Sequence, residues 1–229
     1  MAKNKTQKDE TIVDVVEVYS NAERYIDENQ KSLSIIIIAI VCIVGGFFAY
    51  KKLYVAPKEL EAQSDMYVAE QYFRKDSLNK AINGDGNYLG FLDIIDEYSV
   101  TPSGNLANYY LGICYLKLGN YQNAIEYLTA YDSDDEMVSS IARGATGDAY
   151  MELGETENAL EYYLLAANNK RNDFTSPIYL MKAAMVYEEL QDFEKAVEVY
   201  KDIKSNFAET KEGLEVEKYL SRAKALASN

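Results

Sequence analysis

A chain of 229 residues with 37 acidic and 23 basic side chains carries a formal net charge of −14, and a surface of that sign repels the phosphates of a nucleic acid. It contains no histidine, which removes the commonest general base and the commonest metal ligand together. No CxxC pair, glycine-rich phosphate loop or nucleophile elbow is present, so the sequence predicts no catalytic centre, no metal, no cofactor and no small-molecule substrate.

The N-terminal segment, residues 1–32, divides in two. "MAKNKTQKDE" is polar and reads as a disordered tail. "TIVDVVEVYSNAERYIDENQKS" spaces Ile12, Val15, Val16, Tyr19, Ala22 and Ile26 by three and four, the pattern of an amphipathic helix that Thr11 or Asp9 can cap. Having little local positive charge it suits an anionic membrane poorly, which leaves contact with a partner protein and contact with the membrane interface as two open readings.

Residues 33–50 follow without a charge, apolar on all sides from Ile35 to Ile38 and from Val41 to Val44. At about 1.5 Å per residue this run spans roughly 27 Å, near the hydrocarbon thickness of a bilayer, so it reads as one transmembrane helix. About thirty mostly polar residues precede it and no small-x-small cleavage site follows, which argues against a signal peptide. Tyr50 and Tyr54, with Lys51 and Lys52, are placed for the headgroup layer. Gly45 and Ala49 form a small-xxx-small pair, the candidate contact for another transmembrane helix. Arg24 and Lys31 before the span are balanced by Lys51, Lys52 and Lys58 after it, and adding Lys3, Lys5 and Lys8 reverses the difference, so charge alone leaves the orientation open. Cys42 lies within the span and Cys114 far beyond it, so no disulfide is expected and the compartment stays undecided.

Residues 51–81 read as a linker and leading helix, and residues 82–229 as a separate acidic domain. All of the net negative charge falls after residue 52. "NGDGN" at residues 83–87 reads as a helix-breaking turn, since the spaced ligands of a calcium loop are missing, and "DSDDE" at residues 132–136 reads as solvated loop and helix cap.

Internal repetition then dominates. "NYYLGICYLKLGNYQNAIEYLTAY", "RGATGDAYMELGETENALEYYLLA" and "LMKAAMVYEELQDFEKAVEVYKDI" align Gly112, Gly147 and Ala184, then Tyr115, Tyr150 and Tyr187, then Gly119, Gly154 and Gln191, then Ala124, Ala159 and Ala196, then Leu128, Tyr163 and Tyr200. Small residues in two helices of a pair allow close approach, the tyrosine fills the adjacent gap, and Gly119 and Gly154 stand where a first helix should end. The pattern resembles the tetratricopeptide repeat, a helix-turn-helix unit of about 34 residues, although Asn108, Arg143 and Leu180 replace its usual leading aromatic. "GFLDIIDEYSVTPSG" is similar to "VYKDIKSNFAET", with Phe91, Ile94 and Tyr98 over Tyr200, Ile203 and Phe207. This implies a degenerate leading repeat with helices from about Pro57 to Ala81 and Asn87 to Ser99. "TKEGLEVEKYLSRAKAL", with Leu214, Glu217, Lys218, Ala223 and Leu226, reads as an amphipathic capping helix.

The expected fold is therefore all-α, an N-terminal transmembrane helix and a short tetratricopeptide-like solenoid. By the resemblance, first helices face a concave groove. That assigns to a protein-binding groove Leu106, Tyr109, Ile113 and Leu116, then Ile141, Asp148 and Met151, then Ile178, Met181 and Met185. Set against it is the plainer reading that such residues are core, or that the capping helix covers the groove.

The whole layout, "YIDENQKSL" leading into one span, a linker helix and a small acidic repeat domain, resembles the YfgM-like family of bacterial inner-membrane proteins. That resemblance implies a cytoplasmic N-terminus, a periplasmic repeat domain, and association with the Sec translocon alongside a PpiD-like chaperone and secreted clients. The alternative is a scaffold or adaptor of another cell-envelope assembly or secretion machine. An enzyme is not expected.

Overall fold

The computed structural model describes the backbone of residues 3–228, and side chains from Glu23 onward except Ile26 and Asp27. All secondary structure among these residues is helical. The chain forms two units, Met1–Ala56 and Pro57–Asn229.

The first unit is one helix, α1 (Lys3–Tyr50), followed by a π-helical turn, Lys51–Val55. The polar tail expected to be disordered is helical from Lys3, in one element with the apolar run. With no proline or glycine ahead of Gly45, the sequence offers nothing to interrupt it. The apolar positions from Ile12 to Ile26, and the caps Thr11 and Asp9, have side chains outside the described residues. Nothing within the described protein covers the apolar run: Ile35 is 68% exposed and Ile43 72%. At its end the Tyr50 and Tyr54 rings stack with centroids 5.3 Å apart, and the Lys51 ammonium lies 5.1 Å from the Phe47 ring.

The second unit is a stack of helix pairs. Pairs α5 (Pro102–Lys117) with α6 (Tyr121–Ala130), α7 (Glu136–Glu152) with α8 (Thr156–Asn168), and α9 (Ser176–Glu189) with α10 (Phe193–Asn206) are the three repeats read from the sequence. Each first helix closes in the same way. Gly119, Gly154 and Gln191 adopt φ of 75°, 75° and 62°, and the next amide donates back to Tyr115, Tyr150 and Tyr187 respectively, satisfying a carbonyl the helix would leave open. Gly112 and Gly147 are needed for contact: an added Cβ would lie 2.5 Å from Leu128 and 2.7 Å from the Tyr163 ring.

Upstream, the single helix expected over Pro57–Ala81 is two. α2 (Ala56–Arg74) is closed by Asp76, φ 55°, and the Ser77 amide donates to the Tyr72 carbonyl, the same closure as in the other repeats. α3 (Leu78–Asn83) then begins a second helix, the turn at Gly84 and Gly86 interrupts it, and α4 (Phe91–Glu97) resumes. Ala69, Tyr72, Asp76 and Ala81 thereby take the places of Gly112, Tyr115, Gly119 and Ala124, and Ala69 and Ala81 are fully buried. The leading unit is a fourth repeat whose second helix carries an insertion.

α11 (Lys211–Ala227) packs on α10 and α9 as a further first helix would. Its buried stripe is Val216, Leu220 and Ala223, whereas Leu214 and Leu226, expected to share that face, are 75% and 40% exposed. The 4, 3 spacing from Val216 fixes the inward face, and Leu214 falls off it. Thr101 and Thr210 start α5 and α11 identically, each hydroxyl donating to the carbonyl three residues back and accepting the amide of Gly104 or Gly213. Successive first helices touch one another, α5 with α7 and α9 with α11, while α6, α8 and α10 pack on first helices. The first helices therefore form one layer, the one that the resemblance would make the inner one.

Candidate protein-binding groove

The positions assigned from the sequence all lie on the first helices α5, α7 and α9, but not as a uniform apolar slot. Leu106 packs on the core shared by α2, α3, α4 and α5, and Tyr109, Ile113 and Leu116 pack on the core between α6 and α7, each half-buried. Ile141 and Met151 are likewise half-buried. Ile178 and Met185 on α9 are 41% and 39% exposed, and are the open apolar positions of the set. Met181 is a correction: at 9% exposure it belongs to the core that joins α8, α9, α10 and α11, because it sits where neighbouring repeats converge.

At the middle of the layer, Gly144 occupies the position that holds Tyr109 in the preceding repeat. A Cβ on Gly144 would lie 1.9 Å from Cε1 of Tyr179, so the ring of Tyr179, from the next repeat, fills the space the absent side chain leaves. Burial, with Asp148 and Tyr109 nearby, pushes the Tyr179 hydroxyl well above its ordinary range. Asp148, assigned to the groove, is engaged internally. It accepts from the Tyr163 hydroxyl at 2.6 Å and forms an ion pair with Lys182 of the next first helix, whose ammonium lies 5.3 Å from the Tyr163 ring and 5.9 Å from that of Tyr179. Desolvation first, and then the bond to Asp148, raises the Tyr163 hydroxyl strongly. Asp148, Lys182, Tyr163 and Tyr179 thus form one brace that joins α7, α8 and α9.

Tetratricopeptide repeat family models match residues 91–138, 144–173 and 179–210. The chain carries tetratricopeptide repeats. The repeat fold extends to solved structures at low identity: the nearly identical TPR-like repeats of a putative kinesin light chain from Podosopora anserina, and a single-substitution variant of the same repeats, each superpose with a TM-score of 0.55 at 16% identity. The match covers 73% of this chain and 87% of each of those chains. No curated protein matches the chain by sequence. The tetratricopeptide fold makes this a protein–protein interaction module.

Burial pushes the Cys114 thiol up to about 12, which leaves it protonated and inert at neutral pH. Among the described residues no three His, Cys, Asp or Glu side chains converge as metal ligands. The repeat domain's Tyr163–Asp148–Lys182 brace and the Gly144–Tyr179 contact escaped the sequence reading. Their signal was present: Gly144 is a small residue at an inner-face position where the other repeats carry Tyr109 and Met181.

Proposed function

We propose that this is a membrane-anchored tetratricopeptide repeat protein of the YfgM-like type, ancillary to the Sec translocon. Residues 33–50 span the bacterial inner membrane once, residues 1–32 face the cytoplasm, and the repeat domain works in the periplasm with a PpiD-like chaperone on secreted chains. The observation that carries the reading is the pairing of an interaction module with a helix whose apolar side chains nothing in the described protein covers, Ile35, Ile38 and Ile43 among them. Exposure of so much aliphatic surface to water is unfavourable at roughly 25 cal/mol per Å2, and a bilayer removes that cost. Gly45 and Ala49, with open space around Gly45, offer a face on which another membrane helix can approach. Within the repeats, Ile178 and Met185 are the apolar positions open to a client or chaperone.

The test is affinity purification of the full chain from membranes solubilised under conditions that keep the translocon intact. Recovery of translocon subunits and a membrane-anchored isomerase supports the proposal. Recovery of the bait alone, or of a different envelope assembly, overturns the translocon assignment. Protease digestion of the repeat domain only after the outer membrane is permeabilised, with protection in inverted vesicles, is the expected topology.

A further inference from the structure

The second repeat has a cleft lined largely by its second helix, α8. It measures about 390 Å3 and lies between α7 and the end of α8, lined by Arg143, Glu161, Leu164, Leu165, Asn168 and Lys170. Arg143 stands two positions after the inner-face residue Ile141, hence about 200° further around the helix. It also occupies the place at which the repeat pattern usually carries a bulky aromatic ring. A guanidinium at that position leaves room which a ring would have filled.

Arg143 differs from its counterparts. The repeat unit has four arginines, and three reach a carboxylate: Arg74 pairs with Glu70 at 3.7 Å, Arg171 with Asp202 at 2.8 Å, and Arg222 with Glu188. Among the described residues Arg143 has no ion pair and no side-chain hydrogen bond, although Glu161 borders the same cleft. In a domain with nearly two acids for each base, a guanidinium without an acid is the exception. Lys170 stands beside it, held with φ 46°, and its ammonium donates to a backbone carbonyl, that of Asp134, rather than to a carboxylate. Asn168 and Asn169 are tied to Leu164 and Ser140, which fixes the end of α8 that forms one wall. Leu165, 45% exposed, supplies an apolar wall. The lining thus holds two cations and one acid within a chain of net charge −14.

We propose that this cleft is a second protein-binding site that takes an acidic, apolar peptide segment. A carboxylate of the partner sits on the forked guanidinium of Arg143, with Lys170 beside it, and a neighbouring leucine or phenylalanine lies on Leu164 and Leu165. Arg143 is suited to this because its planar donors match a carboxylate two at a time. The acidity of the rest of the domain makes the site selective: it repels acidic chains everywhere else, so such a segment is retained only where its charge is met.

The experiment uses the full chain in detergent and a set of fluorescein-labelled hexapeptides with two Asp or Glu and two Leu or Phe residues, followed by anisotropy. Saturable binding of members of the set is expected, at least tenfold weaker for the same peptides with Gln and Asn in place of the acids. Arg143→Met should weaken it at least tenfold, and so should Leu165→Asp, which adds a charge at an exposed position with little effect on packing. Ile178→Asp on the inner face should leave it unchanged. No saturable member, equal binding of the uncharged peptides, wild-type affinity in either cleft variant, or loss in Ile178→Asp would overturn the proposal.

Discussion

Asp148 and Lys182 stand 34 residues apart, on the first helices of successive repeats, and close an ion pair across the inner layer. Glu188 and Arg222 repeat the same spacing one repeat further on. Each pair joins successive first helices, from non-equivalent positions of the repeat, and both sit beside a tyrosine of the intervening second helix, Tyr163 or Tyr200.

Lys182→Met tests the first of these braces. Both partners are 37% exposed, so the direct Coulomb loss is modest, about 1 kcal/mol, and screening reduces it. The expected result is a Tm lowered by roughly 2–4 °C in circular dichroism, with the difference from the unmodified chain shrinking in 1 M salt. A loss that is insensitive to salt would mean that the stem packing on the Tyr163 and Tyr179 rings carries the effect instead.

Gly144→Ala should cost more. The new methyl would overlap the Tyr179 ring, which cannot retreat because it is itself buried, so a destabilisation of about 1–3 kcal/mol is expected from overpacking. Combining it with Tyr179→Leu should recover part of the loss, and a double-mutant cycle in urea measures the coupling. Additive losses would show that the two residues do not share the space.

How far the sequence was legible follows from this geometry. Three repeats were readable because glycine, tyrosine and alanine recur at fixed offsets, each demanded by a close approach or a left-handed helix end. The leading repeat was readable only as degenerate, through Phe91, Ile94 and Tyr98, and its helix break at Asp76 was missed chiefly because its second helix differs in length. Asp76 replaces the glycine at the helix end, Ala69 replaces the glycine at the contact, and ten positions separate Ala81 from Phe91 where four separate Ala124 from Leu128. The inner-face positions were legible as positions, but not in what they hold. Whether Met181 is core and Asp148 is bonded depends on side chains of neighbouring repeats, far along the chain, which a periodicity does not reveal.

Alkaline pH should weaken the repeat unit. Tyr98 donates to Asp65 at 2.6 Å, and that bond, with burial, pushes its hydroxyl up to about 12 from an ordinary value of 10. Tyr163, Tyr179 and Tyr200 are raised as well, chiefly by burial. A raised folded value means that the unfolded chain gives up its proton first. The associated stability is complete below about pH 10 and falls as pH rises toward about 12, by up to about 1.4 kcal/mol per pH unit for each such tyrosine. Urea titrations at pH 8, 10 and 11 should show this decline, made shallower by Tyr98→Phe. A flat profile across that window would contradict it.

The helix ends offer a pair of substitutions of opposite sign. Gly154 and Gln191 hold the same place in successive repeats, with φ of 75° and 62°, and both amides donate within the same closure. At Gly154 an added Cβ meets nothing within 4 Å, so Gly154→Ala isolates the backbone term, and a left-handed alanine should cost about 1 kcal/mol. Gln191 is exposed and already carries that strain, so Gln191→Gly should return a similar amount, raising the Tm where the first change lowers it. Both effects are reduced by the conformational freedom that glycine gives the unfolded chain, which Gly154→Ala removes and Gln191→Gly adds. Thermal unfolding of the two single variants and their combination decides the matter. Opposite shifts that nearly cancel in the combination would establish that the two helix ends are equivalent devices, whereas destabilisation by Gln191→Gly would mean that its side chain holds the end of α9 by contacts rather than tolerating its backbone.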